Sequence, residues 1–247
     1  MDARVLAGKV ILLTQVQQFI GPVAAPALVQ AGARVAVADP AFADSAVAGA
    51  FAQAHPDLQV IAGARASEMV AEVEARLGPI DVAISNDAFP AHRLPIASAT
   101  DADAEAAFAA LSLQPFAFAR AVAPGMVARG RGHILFISSA APLRGLANYS
   151  LYCAARGATN ALAMALAREL GPSGVRVNAL APNFVENEDY FPASLRADAT
   201  AMAKITSQIP LRRLGRPEEV AATLTWLASD GSGFVTGQVI PFAGGWA

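Results

Sequence analysis

The stretch Val10-Ile-Leu-Leu-Thr-Gln-Val-Gln-Gln-Phe-Ile-Gly-Pro22 runs on through Val23-Ala-Ala-Pro-Ala-Leu-Val-Gln-Ala31 to Arg34-Val-Ala-Val-Ala-Asp39. A short apolar run, a turn, an Ala/Leu-rich helical stretch and a second short apolar run make a strand–helix–strand unit. The runs are continuously apolar instead of alternating, the mark of strands covered on both faces. The same alternation repeats to the end of the chain. Strands are expected at 10–14, 34–39, 58–62, 81–85, 133–138, 175–181 and 239–242. Helices are expected at 23–31, 42–55, 66–77, 102–128, 149–170 and 217–228.

This order specifies an α/β fold with a doubly wound parallel sheet, Rossmann-like in type. No internal repeat, low-complexity tract or linker divides the chain, so residues 1–247 read as one domain. With 55% hydrophobic and 15% charged residues there is material for a core and for apolar contacts between subunits. A net charge of −2 without a basic cluster gives no reason to expect nucleic acid or an anionic membrane as partner. Apolar runs are broken before about 18 residues, so no membrane span is expected. The start Met-Asp-Ala-Arg-Val-Leu-Ala-Gly-Lys lacks the pattern of a secretory signal. The lone Cys153 excludes an intrachain disulfide and multi-cysteine metal sites, and His55, His92 and His133 show no ligand spacing. A cytoplasmic protein without a metal is the expectation.

In doubly wound sheets ligands bind beyond the carboxyl ends of the strands. Ser139, Asn86-Asp87 and Pro182-Asn183 all fall there. Tyr152 and Arg156 are four residues apart, one helical turn, and thus share a face. A guanidinium beside a phenol favours the phenolate, a base for taking a proton from an alcohol, and the Ser139 hydroxyl is placed to hold the substrate oxygen. Tyr149 is a rival phenol, but Cys153 stands four residues on from it where Tyr152 has Arg156. Ser138 should point to the opposite side of its strand. Cys153 reads as an inert thiol, and Trp226 and Trp246 as core or interface residues, with Trp246 near enough to the C-terminus to reach a neighbouring subunit's site.

A dinucleotide-binding turn after the first strand would be rich in glycine, so that the backbone can approach a pyrophosphate. Here only Gly21 remains, Phe19 brings a ring, and Pro22 removes an amide. Asp39, alone, reads as a polar turn residue instead of a ribose ligand.

With Ser139, the Tyr152-x-x-x-Arg156 spacing, Asn86, the Pro182 segment and Thr236-Gly-Gln…Gly244-Gly245 in place, the chain resembles the short-chain dehydrogenases/reductases along nearly its whole length. Arg156 in place of the usual Lys, with the Phe19 loop in place of the glycine-rich turn, resembles one branch, the cofactor-free halohydrin dehalogenases. Ser85-Asn-Asp-Ala-Phe89, Leu113-Gln-Pro-Phe116, Gly132-His-Ile-Leu-Phe-Ile-Ser-Ser-Ala140 and Pro182-Asn-Phe-Val185 are further similarities. The resemblance implies no nucleotide cofactor and a carbon–halide lyase reaction that closes vicinal haloalcohols to epoxides. Tyr152 would be the base, Ser139 the substrate-oxygen ligand, Arg156 the charge beside the base, and Asp87 the residue that orients Arg156 and the water path. Phe19, Pro182, Asn183, Phe184 and Val185 would form the halide and nucleophile pocket, with the backbone N–H groups of Phe184 and Val185 facing it. Run in reverse, small anions would open epoxides there. The resemblance also implies a homotetramer, packed through the Ala-rich helices at 102–128 and 149–170. A nicotinamide-dependent alcohol dehydrogenase and a non-catalytic subunit stay open as alternatives, disfavoured by the altered turn and by the retained Ser, Tyr and Arg respectively. The loops at 90–99 and 186–196 are expected to set substrate size.

Overall fold

The computed structural model describes residues 4–188 and 190–247; residues 1–3, and Asp189 within the 186–196 loop, lie outside the described residues. Seven strands form one sheet: β1 (Val10–Leu13), β2 (Arg34–Ala38), β3 (Leu58–Ile61), β4 (Val82–Ser85), β5 (Gly132–Ile137), β6 (Val175–Pro182) and β7 (Val239–Phe242). Between and after them run α1 (Gly21–Gln30), α2 (Ser45–Ala54), α3 (Ala66–Leu77), α4 (Asp101–Phe108), α5 (Gln114–Arg129), α6 (Ala141–Arg144), α7 (Ser150–Leu170), α8 (Ala193–Ala197), α9 (Ala199–Thr206) and α10 (Pro217–Ala228). The strand order is β3-β2-β1-β4-β5-β6-β7 with every pair parallel.

Alternate residues of each buried strand serve opposite cores. Ile11 and Leu13 join Leu28 of α1 and Leu224 of α10 on one face. Val10 and Leu12 join Val73 of α3, Phe118 of α5 and Ala163 of α7 on the other. This two-faced burial is why the strands read as unbroken apolar runs. The order reverses between β1 and β4, so the turn after β1 and the segments after β4, β5 and β6 converge on one crevice.

Local details depart from expectation for physical reasons. The helix expected over 42–55 begins only at Ser45, because the Asp44 side chain caps it by accepting the Ala46 N–H at 2.8 Å. The helix expected over 102–128 is interrupted by a π-helical turn at Ala109–Leu113. Pro115 has no N–H to give the Leu111 carbonyl. The Thr159 hydroxyl of α7 donates to that carbonyl instead, and Ser112 donates to Ala155 O at 3.0 Å. Taken as one run, Asp101–Arg129 is long and apolar enough to cross a membrane by length and composition, which the run-by-run reading does not register. In the fold its Phe118, Ala119, Val122 and Met126 are buried in the core against the sheet. The short helices α6, α8 and α9 were not legible in the pattern.

Candidate active site

Arg156 organises the crevice. It is 2% exposed and among the largest fully buried side chains, a costly place for a charge unless its donors are met. Nη1 donates to Ile137 O at 2.9 Å and Nη2 to Asp87 O at 2.8 Å. Nε points back along α7 to the Tyr152 hydroxyl at 3.4 Å. The guanidinium also lies 5.7 Å from the Phe19 ring centre and 5.6 Å from that of Tyr152. The one-turn spacing thus delivers the pair, and the ends of β4 and β5 lock it. Ser138 donates to the Arg156 backbone oxygen at 3.4 Å, away from the cavity. Ser139 Oγ accepts the Ala141 N–H at 3.1 Å, and its residue lines a cavity with Tyr152.

The turn after β1 keeps a glycine-type backbone without the glycines. Gln15 sits at φ +46° and Phe19 at φ +52°, a region that costs side-chain-bearing residues roughly 1–2 kcal/mol. Neighbours hold the strain. Asn86 Nδ2 donates to both Gln15 O and Gln18 O at 2.9 Å, and its backbone N–H donates to Thr14 Oγ1 at 3.0 Å. Gln15 Oε1 accepts the Ala88 N–H at 2.9 Å. Asp39 accepts the N–H of Gln17 at 3.0 Å and of Ala41 at 3.1 Å, so it is a turn residue, as read from sequence. Gly21 persists because a Cβ there would overlap the Val16 carbonyl. A pyrophosphate does not fit: the Gln17 amide is taken, Pro22 offers none, and the Gln15 and Phe19 side chains stand where glycines would leave room.

Asp87 meets Arg156 differently from the expectation. It is its backbone carbonyl that orients the guanidinium. The carboxylate instead accepts from Ser85 Oγ, and from Gln15 Nε2 at 3.4 Å. Burial pushes this carboxyl up to about 6, against the opposing pull of the Ser85 hydroxyl and the Arg156 charge.

A cavity of about 340 Å³ gathers Phe19, Ser139, Tyr152, the Pro182–Val185 loop and Trp246. Asn183 N–H is tied to Phe242 O at 3.0 Å. Phe184, at φ +55°, donates its N–H to Asn183 Oδ1 at 2.9 Å, so that amide is committed, contrary to the expectation that it faces the pocket. The Val185 N–H has no acceptor among the described residues. Phe184 stacks edge-on against Trp246 with ring centres 5.5 Å apart, and the Arg144 guanidinium lies 5.0 Å from the indole centre. Trp246 therefore walls the cavity of its own chain. Trp226, expected in a core or interface, is 45% exposed. Tyr149 lines the cavity without a guanidinium beside it. Sequence reasoning missed Tyr190, whose hydroxyl accepts the Ala91 N–H at 3.0 Å and whose residue walls the cavity; it lies in the 186–196 loop, which carries no period to read. Among the described residues no group of three His, Cys, Asp or Glu is placed to hold a metal ion.

The crevice therefore joins a phenol, a hydroxyl and a guanidinium beside an enclosed space, an arrangement able to deprotonate an alcohol. Residues 16–247 match the family model described as enoyl-(acyl carrier protein) reductase. The chain belongs to this short-chain dehydrogenase/reductase family. Among solved structures it resembles one titled a dehalogenation enzyme, 43% identical, covering 98% of this chain and all of that one with a TM-score of 0.93. A halohydrin dehalogenase bound to ethyl (2S)-oxiran-2-ylacetate is 35% identical, with 96% of both chains covered and a TM-score of 0.91. Among curated relatives, a (2S)-[(R)-hydroxy(phenyl)methyl]succinyl-CoA dehydrogenase subunit of Thauera aromatica is 37% identical over 96% of this chain and 94% of its own. The relatives by sequence are oxidoreductases, whereas these neighbours by structure are dehalogenases.

Proposed function

We propose that this enzyme is a halohydrin dehalogenase, working without a nucleotide cofactor. The observation that carries the reading is the filled turn: Gln15 and Phe19 at positive φ occupy the phosphate approach, while the Tyr152–Arg156 pair beside it stays intact. Ser139 holds the substrate hydroxyl in the cavity, and Tyr152 removes its proton. The alkoxide oxygen attacks the adjacent carbon from the side opposite the carbon–halogen bond. That bond breaks, the halide takes the electron pair, and an epoxide remains. Arg156 stabilises negative charge on the phenol oxygen through its Nε contact. The proton leaves Tyr152 through water. The halide is received by the 182–185 loop, whose Val185 N–H is the donor left for it, under the rings of Phe19 and Phe184. In reverse, a small anion in the same place opens an epoxide. The exposed Leu113 of the π-helical turn, Phe116 of α5 and Met164 of α7 support assembly into a homotetramer through those helices.

The oxidoreductase relatives keep a nicotinamide-dependent alcohol dehydrogenase as the second reading. One experiment separates the two. Purified protein, assayed with a vicinal bromoalcohol, should release bromide with no added cofactor and should not quench or shift NADH or NADPH fluorescence. Saturable tight binding of either nucleotide, or no bromide from several bromoalcohols, would overturn the dehalogenase.

A further inference from the structure

A second open cleft of about 690 Å³ adjoins the reaction cavity. Phe19, Ala91, Tyr152 and Tyr190 line both spaces, so the two meet at the phenol that serves as base. Beyond the junction the cleft is lined by Phe89-Pro90, Pro40-Ala41, Gln18, Asp39 and His92. Its walls mix apolar faces with a few polar groups, the composition of a small-molecule site, and its volume lies within the usual range of about 300–1,000 Å³. Tyr190 is its clasp: the hydroxyl accepts the Ala91 N–H at 3.0 Å and donates to Phe89 O at 3.5 Å, fastening the loop after β6 to the loop after β4 over the junction. The filled turn excludes a pyrophosphate from this cleft but leaves the space beyond Phe19 open.

We propose that this cleft is the subsite for an elongated, uncharged substituent on the haloalcohol or epoxide, such as an aryl or long alkyl ether. The inference rests on the dehalogenase reading for the reacting group. The substituent passes Tyr152 beneath the Tyr190 clasp and lies along Phe89, Pro90 and Ala41, while the reacting carbons stay between Ser139 and the 182–185 loop. The Asp39 carboxylate in the lining of the cleft disfavours an anionic tail.

The experiment compares bromopropanol with its phenoxy-substituted analogue in halide release, and propan-2-ol with phenoxypropan-2-ol, which carry no leaving group, in calorimetric binding. Ala41 and His92 are exposed and line the cleft but not the reaction cavity, so Ala41→Trp and His92→Trp narrow the cleft without changing a residue of that cavity. Either variant should raise KM for the phenoxy substrate, and weaken phenoxypropan-2-ol binding, by about tenfold, the loss of roughly 1.4 kcal/mol of apolar contact. The kcat/KM for bromopropanol should stay within about twofold of the starting protein. Phenoxy binding unchanged in both variants, or no tighter than propan-2-ol in the starting protein, would sink the subsite. If no bromoalcohol releases halide, the dehalogenase reading fails instead, and the calorimetric comparison still decides whether the cleft takes the substituent.

Discussion

Two buried polar clusters share β5 and β6, one toward each end, and they differ in what is left over. Toward the amino ends, the polar groups of Asn178 and Arg176 are spent on the chain itself. Asn178 Nδ2 donates to Val235 O at 2.9 Å and contacts His133 Nε2 at 2.9 Å, while its Oδ1 accepts the Gln238 N–H at 3.0 Å. Arg176 Nη1 donates to Ser232 O at 2.9 Å and Val235 O at 3.1 Å. The result staples the segment between α10 and β7 to the sheet. Toward the carboxyl ends, Arg156 is held as tightly, but the hydroxyls of Ser139 and Tyr152 and the Val185 N–H border open space. Burial of polar groups is thus common to both ends, and spare hydrogen-bonding capacity facing a cavity is what separates a site from a staple.

The sharpest break between the two ends comes from removing single groups. Tyr152→Phe should lower halide release by about 10²–10⁴-fold, the usual worth of a positioned base, with the melting temperature unmoved. Activity retained within tenfold would mean another group is the base. Asn178→Ala should do the reverse. It leaves the Val235 carbonyl and the Gln238 amide without their buried partner, costing about 3 kcal/mol in urea unfolding, with kcat per folded molecule unchanged. A kcat that fell while stability held would place that network in the mechanism.

The titrating groups extend the contrast with opposite signs. Asp87 has its folded value raised from 3.8 to about 6, so the folded state holds the proton more tightly than the unfolded chain. Its contribution to stability is therefore full below about pH 4 and is lost as pH rises through 6. Asp87→Asn should gain about 3 kcal/mol at pH 8 and almost nothing at pH 4, judged from paired urea titrations, while slowing halide release. Equal gains at both pH values would show that the carboxylate is not the strained species. His133 is held well below 6.5 by burial, with the Arg176 charge adding to it. Here the unfolded chain takes the proton first, so stability is lost as pH falls below about 6.5. His133→Gln should flatten that part of the profile; a slope unchanged by the substitution would assign it to other groups.

How much of this was legible in the chain depends on the range of the interaction. The seven strands were readable because burial on both faces leaves a continuous apolar run, as at Val10–Leu13. The Tyr152–Arg156 pair was readable because helical spacing alone brings the two side chains together. The altered turn was readable as an absence of glycine, although only the backbone shows that Gln15 and Phe19 keep the left-handed angles a glycine would adopt freely. Asp87 was placed correctly beside Arg156 but with the wrong atoms, since a residue's carbonyl and carboxylate cannot be told apart from its position in the sequence. The Phe184 amide was misjudged for a similar reason: the competing acceptor is the side chain next to it, Asn183 Oδ1.

By itself, then, the sequence determined the sheet, its two covered faces and the Tyr152 phenol with its charged neighbour, because each follows from periodicity within a few residues. Only the tertiary structure decided where the donors are spent and where space remains. The ends of β4, β5 and β6, the Tyr190 clasp and Trp246 meet through contacts tens of residues apart in the chain. The shape of a cavity is set by such distant neighbours, and no local pattern of side chains records them.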